Sequence, residues 1–159
     1  MAAGLLAVVL TGVAPLVTMA ASGSAAARVN LLADRLALQR LAHLQTLTHI
    51  RVPGAVAIDT QTSIGSDFLV GGPGLSISGL GPLQTTTAGW ADWLDEQGGW
   101  LSSATTAPPG ARYRRRWAIL AGGSTDCVRL WVEVAPVPAL VGGRAAHAGA
   151  VQCAWGAWP

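Results

Sequence analysis

The chain of 159 residues suits one domain with an appendage rather than two full domains. Charged residues make up only 11% of it, against roughly 25% in ordinary soluble domains, and mean hydropathy is +0.43, a balance that points to a membrane or a buried subunit interface. The formal net charge of +2 excludes a chain-wide electrostatic case for nucleic acid.

Residues 1–27 carry no ionisable side chain. The run from Gly4 to Leu10 leads through Pro15 to Ala21, and about 20 apolar residues suffice for a helix to span a bilayer. Membrane helices tolerate a proline at a kink. A cleaved secretory signal is the rival reading, with Ala20 to Ala27 offering a small-residue cleavage site, but no basic region precedes Arg28. The next stretch of chain favours an anchor. From Ala25 to His49 there is no Pro or Gly, and Leu, Ala, Arg and Gln dominate, so the helix is expected to continue as one rod. The predicted organisation is therefore a membrane-spanning helix over 1–24 and its amphipathic continuation over 25–50. In the second half Val29, Leu32, Ala33, Leu36, Leu44 and Leu47 share a broad face that Arg40 interrupts, while Leu31, Leu38 and Leu41 point to the other side. One face can pack on the rest of the chain. The second calls for another subunit.

Residues 51–110 read as a Gly/Pro-rich connection holding minor strands: Ala55 to Ile58, Phe68 to Val70 and Leu75 to Ser78. Residues 111–159 read as an antiparallel sheet region. Tyr113 to Leu120 alternates, with Tyr113, Arg115, Trp117 and Ile119 on one side. Cys127 to Ala135 places Val128, Leu130, Val132 and Val134 on one face and Arg129, Trp131 and Glu133 on the other. Turn residues from Ala121 to Asp126 make the two a hairpin, and a last strand is expected at Val151 to Trp155. Behind an export signal, the even cysteine count favours a bridge between Cys127 and Cys153. Closing a loop of about 25 residues stabilises by roughly 3 kcal/mol. The fold class expected is α+β, a long N-terminal helix packed on a small antiparallel sheet.

Three stretches together resemble the type IV pilin and type II secretion pseudopilin family, especially its minor members. They are residues 2–17 (AAGLLAVVLTGVAPLV), residues 26–45 (AARVNLLADRLALQRLAHLQ), and a head pattern of GWADWLDEQGGW, PPGARYRRRWAI and VRLWVEV at 89–100, 108–119 and 128–134. The resemblance implies a non-enzymatic filament subunit that assembles through its helix with other pilin or pseudopilin subunits. It also implies single-pass placement in the inner membrane, with the head in the periplasm or on the cell surface. The family's basic leader and early Glu are not found at Met1. The expectation is a start codon further upstream, in which case prepilin peptidase becomes a partner. The alternative reading is a membrane-tethered binding module.

Arg112, Arg114, Arg115 and Arg116 form the basic cluster, read either as a ligand or phosphate patch or as a solvated strand face. Asp92, Asp95 and Glu96, with Asp67 or Asp126, fit no calcium-loop spacing and read as an acidic turn. His43 and His49 are six apart, the wrong spacing for a helical metal pair. No catalytic constellation, phosphate loop or cofactor motif is found. Seven tryptophans are many for this length, and those outside the hairpin suit either subunit contacts or loop packing.

Overall fold

A computed structural model describes residues 2–52, 55–58, 74–137 and 143–156, with the side chains of 2–18, 51–52, 55, 57–58 and 155–156 excepted. The chain opens with α1, Ala2–Thr46, a 45-residue helix about 67 Å long. Then come β1 (His49–Val52), β2 (Ala55–Ile58), a single turn α2 (Gly81–Gln84), β3 (Ala91–Leu94) and β4 (Trp100–Ser102). The long hairpin strands β5 (Tyr113–Ala121) and β6 (Cys127–Pro136) precede β7 (Ala146–Cys153) and the short β8 (Trp155–Gly156). The main sheet is antiparallel, in the order β4-β3-β5-β6-β7; a smaller sheet orders β2-β1-β8, with β8 parallel to β1. The architecture is α+β, a helix laid on one face of a five-stranded sheet.

Strand alternation decides which face the helix covers. Val128, Leu130, Val132 and Val134 of β6 are buried, as are Tyr113, Trp117 and Ile119 of β5 and Ala146 and Ala148 of β7. Against them α1 lays Ala33, Leu36, Ala37, Leu41 and Leu44, with Leu47 just beyond its end. Arg40 lies within this flank rather than breaking it, and is 2% exposed. Leu41, expected on the opposite side, is buried too, because the covered stripe is wide enough to take it beside Arg40. Leu31 and Leu38 stay outside, 69% and 60% exposed.

Polar contacts fix the helix at both ends of this contact. Near Asn30 the loop before β7 is held by Arg144, whose backbone N–H donates to Asn30 Oδ1 at 3.0 Å and whose Nη2 reaches Asp34 Oδ2 at 3.2 Å. Past the helix end, Gln152 Nε2 of β7 donates to the carbonyl of Leu47 at 3.0 Å, and at 3.4 Å to that of Gln45, one of the terminal carbonyls a helix leaves unpaired.

Several expectations change. The hairpin and its faces are as the alternation implies, but β3 and β4 lie inside the span expected to be a connection. The helix gives way before His49, which opens β1. Leu75 to Ser78 forms no strand, although the N–H groups of Ser78 and Gly79 donate to the Ile119 carbonyl. Phe68 to Val70 lies outside the described residues. Inner-membrane placement as a single-pass protein is overturned: among the described residues no helix is long and apolar enough to cross a membrane. Where its side chains are described, α1 carries Arg28, Asp34, Arg35 and Arg40, which interrupt any long apolar run. The side chains of the expected anchor up to Thr18 lie outside the described residues.

The two flanks of α1 are expected to differ sharply in denaturant unfolding. Leu44→Ala, at a fully buried position, should cost about 2–5 kcal/mol. Leu38→Ala, on the exposed flank, should stay within about 0.5 kcal/mol; equal losses would contradict the packing described.

Candidate functional site

The densest set of chemically active side chains lies between α1 and the sheet. Asp92 of β3 stands directly opposite Arg115 of β5. Strand alternation sends both side chains to the face that α1 covers, where they are 0% and 7% exposed. Arg115 donates through Nη2 and Nε to Asp92 Oδ2 at 2.7 and 3.2 Å. The other carboxylate oxygen accepts from Ser103 Oγ at 3.1 Å, and that hydroxyl accepts from Trp100 Nε1 at 3.3 Å. Asp92 is thus occupied on both oxygens. That is how a buried carboxylate avoids the penalty of lost hydration.

Two residues further along β5, Trp117 receives Arg40 from the helix, with the guanidinium carbon 3.8 Å from the ring centroid. A cation over an indole face is attracted by the ring quadrupole, most strongly where water is excluded. Arg40 also donates from Nη1 to His43 Nδ1 at 3.0 Å. Guanidinium nitrogens cannot accept, so Nδ1 is the bare nitrogen of a neutral imidazole. Burial, then the charges of Arg40 and Arg115, push the His43 pKa down to about 4, with Asp92 opposing. Burial lowers the Arg40 pKa to about 10, so it keeps its charge at ordinary pH.

The sheet divides the four clustered arginines between its faces. Arg115 faces the helix in its ion pair. Arg116, 8% exposed on the opposite face, pairs with Glu133 across the β5–β6 ladder. Arg114 is half-buried beside Arg116, and burial lowers its pKa. Arg112 is exposed ahead of the strand. Consecutive strand residues alternate sides, so four neighbours in sequence do not make one surface patch.

Nor do the acidic residues come together. Asp95 Oδ1 accepts from the backbone N–H groups of Gln97 and Gly99, at 2.9 and 2.7 Å, as a turn-forming carboxylate does. Gly98 in this turn has φ 87°, and a Cβ there would approach Leu36 Cδ2 of α1 to 2.7 Å. Glycine meets both the left-handed backbone and the close approach of the helix. Among the described residues no group of three His, Cys, Asp or Glu is placed to hold a metal ion.

Cys127 and Cys153 are disulfide-bonded and face each other in the β6–β7 register. Beside them the buried His49 donates from Nε2 to the Asp126 carbonyl at 2.8 Å. This ties the segment after the helix to the bridged strand ends. Of the tryptophans, Trp90, Trp93 and Trp117 are buried, Trp100 and Trp131 are 38% and 42% exposed, and Trp155 and Trp158 fall outside the described side chains. The Trp131 ring lies on Gly149, where a Cβ would come within 3.0 Å of it. No family model, curated protein or solved structure matches the chain.

Sequence reasoning missed the Arg40–His43–Asp92–Arg115–Trp117 set as a unit. The signal available was Arg40 interrupting an apolar helix face together with Arg115 sharing the inner face of β5.

The depressed His43 pKa sets a pH dependence. The unfolded chain takes up a proton near pH 6.5 while the folded chain resists until about pH 4. The stability contributed by neutral His43 is therefore complete above about pH 6.5 and is lost as pH falls toward 4. Denaturant midpoints measured across this window should drop less steeply in His43→Gln than in the parent chain; parallel curves would contradict the assignment.

Proposed function

We propose that the chain is a pilin-like structural subunit, without catalysis, that assembles into a type IV pilus or type II secretion-like filament through α1. The supporting observation is the unequal use of the helix. The flank from Ala33 to Leu44 is covered by the sheet, whereas Met19, Leu31 and Leu38 are 70%, 69% and 60% exposed. From Met19 to Arg28 every position except Ala26 is open to water.

An isolated helix gains little in water without an apolar face to bury. Exposed leucines along a rod this long are covered most economically by like rods, with ridges of one helix in the grooves of the next. Partners of this kind are other pilin or pseudopilin subunits, each bringing a helix of the same design. The small Ala, Ser and Gly side chains from Ala20 to Ala27 allow close helix approach.

A nucleic-acid-contacting head draws less support. Arg115 and Arg116 are engaged in ion pairs, which leaves Arg112 as the exposed member of the cluster.

Single-cysteine probes test the assembly reading, since the native cysteines are already bonded to each other. Leu31→Cys and Leu38→Cys should give intersubunit disulfide dimers under oxidation in the producing cell, through helix-to-helix contact. Ala33→Cys, on the covered flank, should give none. Adducts absent from both exposed positions would sink the proposal.

A further inference from the structure

The two edges of the main sheet are built differently. At one edge β4 is three residues long, and its pairing with β3 slips register between Trp93 and Leu94. Short, irregular edge strands discourage the addition of a further strand. At the other edge β7 runs eight residues, pairs with β6 without a break in register, and holds no proline and no Asp, Glu, Lys or Arg. Among the described residues no strand lies beyond it.

Hydrogen-bond phase decides which backbone groups that edge presents. The Ala154 N–H donates to the Asp126 carbonyl at 2.7 Å, one step past the Cys127–Cys153 pair of the ladder. Antiparallel pairs alternate between those that exchange backbone bonds and those that do not. Ala146, Ala148, Ala150 and Gln152 therefore direct their N–H and C=O groups to β6. Those of His147, Gly149 and Val151 point the other way, toward the open edge. The bond from the Gly122 N–H to the Cys127 carbonyl gives β6 the same phase on its β5 side. All three outward residues are exposed, Val151 at 61%.

We propose that this edge docks the β7 strand of a second copy of the chain, paired antiparallel about a two-fold axis. Charge selects that occupant. Two copies of a charged strand repel, whereas β7 carries no formal charge at pH 7 with histidine neutral. A charged partner segment would find no counter-charge along it. With Gly149 opposite Gly149 of the second copy, the outward N–H groups of His147, Gly149 and Val151 meet outward carbonyls, and each exposed Val151 lies beside a His147. On the inner face Ala148 then stands against Ala150, small side chains that do not crowd the two helices. The two sheets join into one, through the self-complementary kind of contact that two-fold dimers use. This surface is separate from the exposed flank of α1 on which the assembly reading rests.

Sedimentation of the full chain across a range of concentrations, with amide hydrogen exchange at each, tests the pairing. The amides of His147, Gly149 and Val151 should exchange fast in the dilute monomer and at least about tenfold more slowly once the chain is dimeric. Those of Ala148 and Ala150 should be slow in both. Val151→Pro removes an outward N–H that β6 does not use, a place where an edge strand tolerates proline, and should weaken dimerisation at least about tenfold. Val151→Lys keeps every backbone donor, so its fold is at less risk, and should weaken dimerisation by a similar factor, as lysine on an edge does. A chain that stays monomeric, that associates equally well in both variants, or that associates while the three outward amides remain fast would overturn the proposal. So would slow exchange of those amides in the monomer, because the chain's own residues would then already cover the edge.

Discussion

One flank of one helix covers the inner face of the sheet, and most of the molecule's arrangement depends on that contact. The sheet supplies a stripe of β-branched and aromatic side chains from β5 and β6, flanked by the alanines of β7. The helix supplies leucines and alanines at the spacing that keeps them on one side. Small residues on β7 let the helix lie close, and larger ones on β5 and β6 fill the space beside it. Neither partner is stable alone: the sheet would expose its valines, and the helix would gain nothing from its own hydrogen bonds beyond what water offers.

Within that apolar contact lies a polar seam. Asp92, Arg115 and Arg40 sit where leucine would pack more cheaply, and burying charge seldom adds stability over an apolar replacement. Direction is what such a seam contributes. Arg40 must lie over Trp117 and reach His43, so a helix shifted by one residue would put a charge against valine. The clamps near Asn30 and beyond Thr46 act in the same sense. Register along the sheet is thereby fixed, and the remaining flank of α1 faces outward with a defined orientation.

Much of this was legible in the residues because alternation and helical period are local properties. The β5–β6 hairpin, its buried valine face and the bridge between Cys127 and Cys153 all arise from spacing and count. What escaped depended on contacts distant in sequence. Ala91–Leu94 reads as part of a loop because four residues bounded by glycines carry too short a pattern; only pairing with Arg114 and its neighbours makes it a strand. Arg40 reads as a flaw in the helix until Trp117 is brought beneath it. The arginine run reads as a patch because sequence proximity hides the alternation that separates Arg115 from Arg114 and Arg116. The membrane span expected from hydropathy over residues 1–24 did not hold: among the described residues no helix is long and apolar enough to cross a membrane.

One flank of α1 is held by its own sheet, and we propose that neighbouring subunits cover the other. Hydrogen–deuterium exchange tests it most directly, comparing the dispersed chain with the assembled form. The account predicts slow exchange for amides from Ala33 to Leu44 in both states. Those from Met19 to Arg28 should exchange fast in the dispersed chain and become protected on assembly. Uniform protection along α1 in the dispersed chain, or no gain of protection at Met19 to Arg28 on assembly, would contradict it.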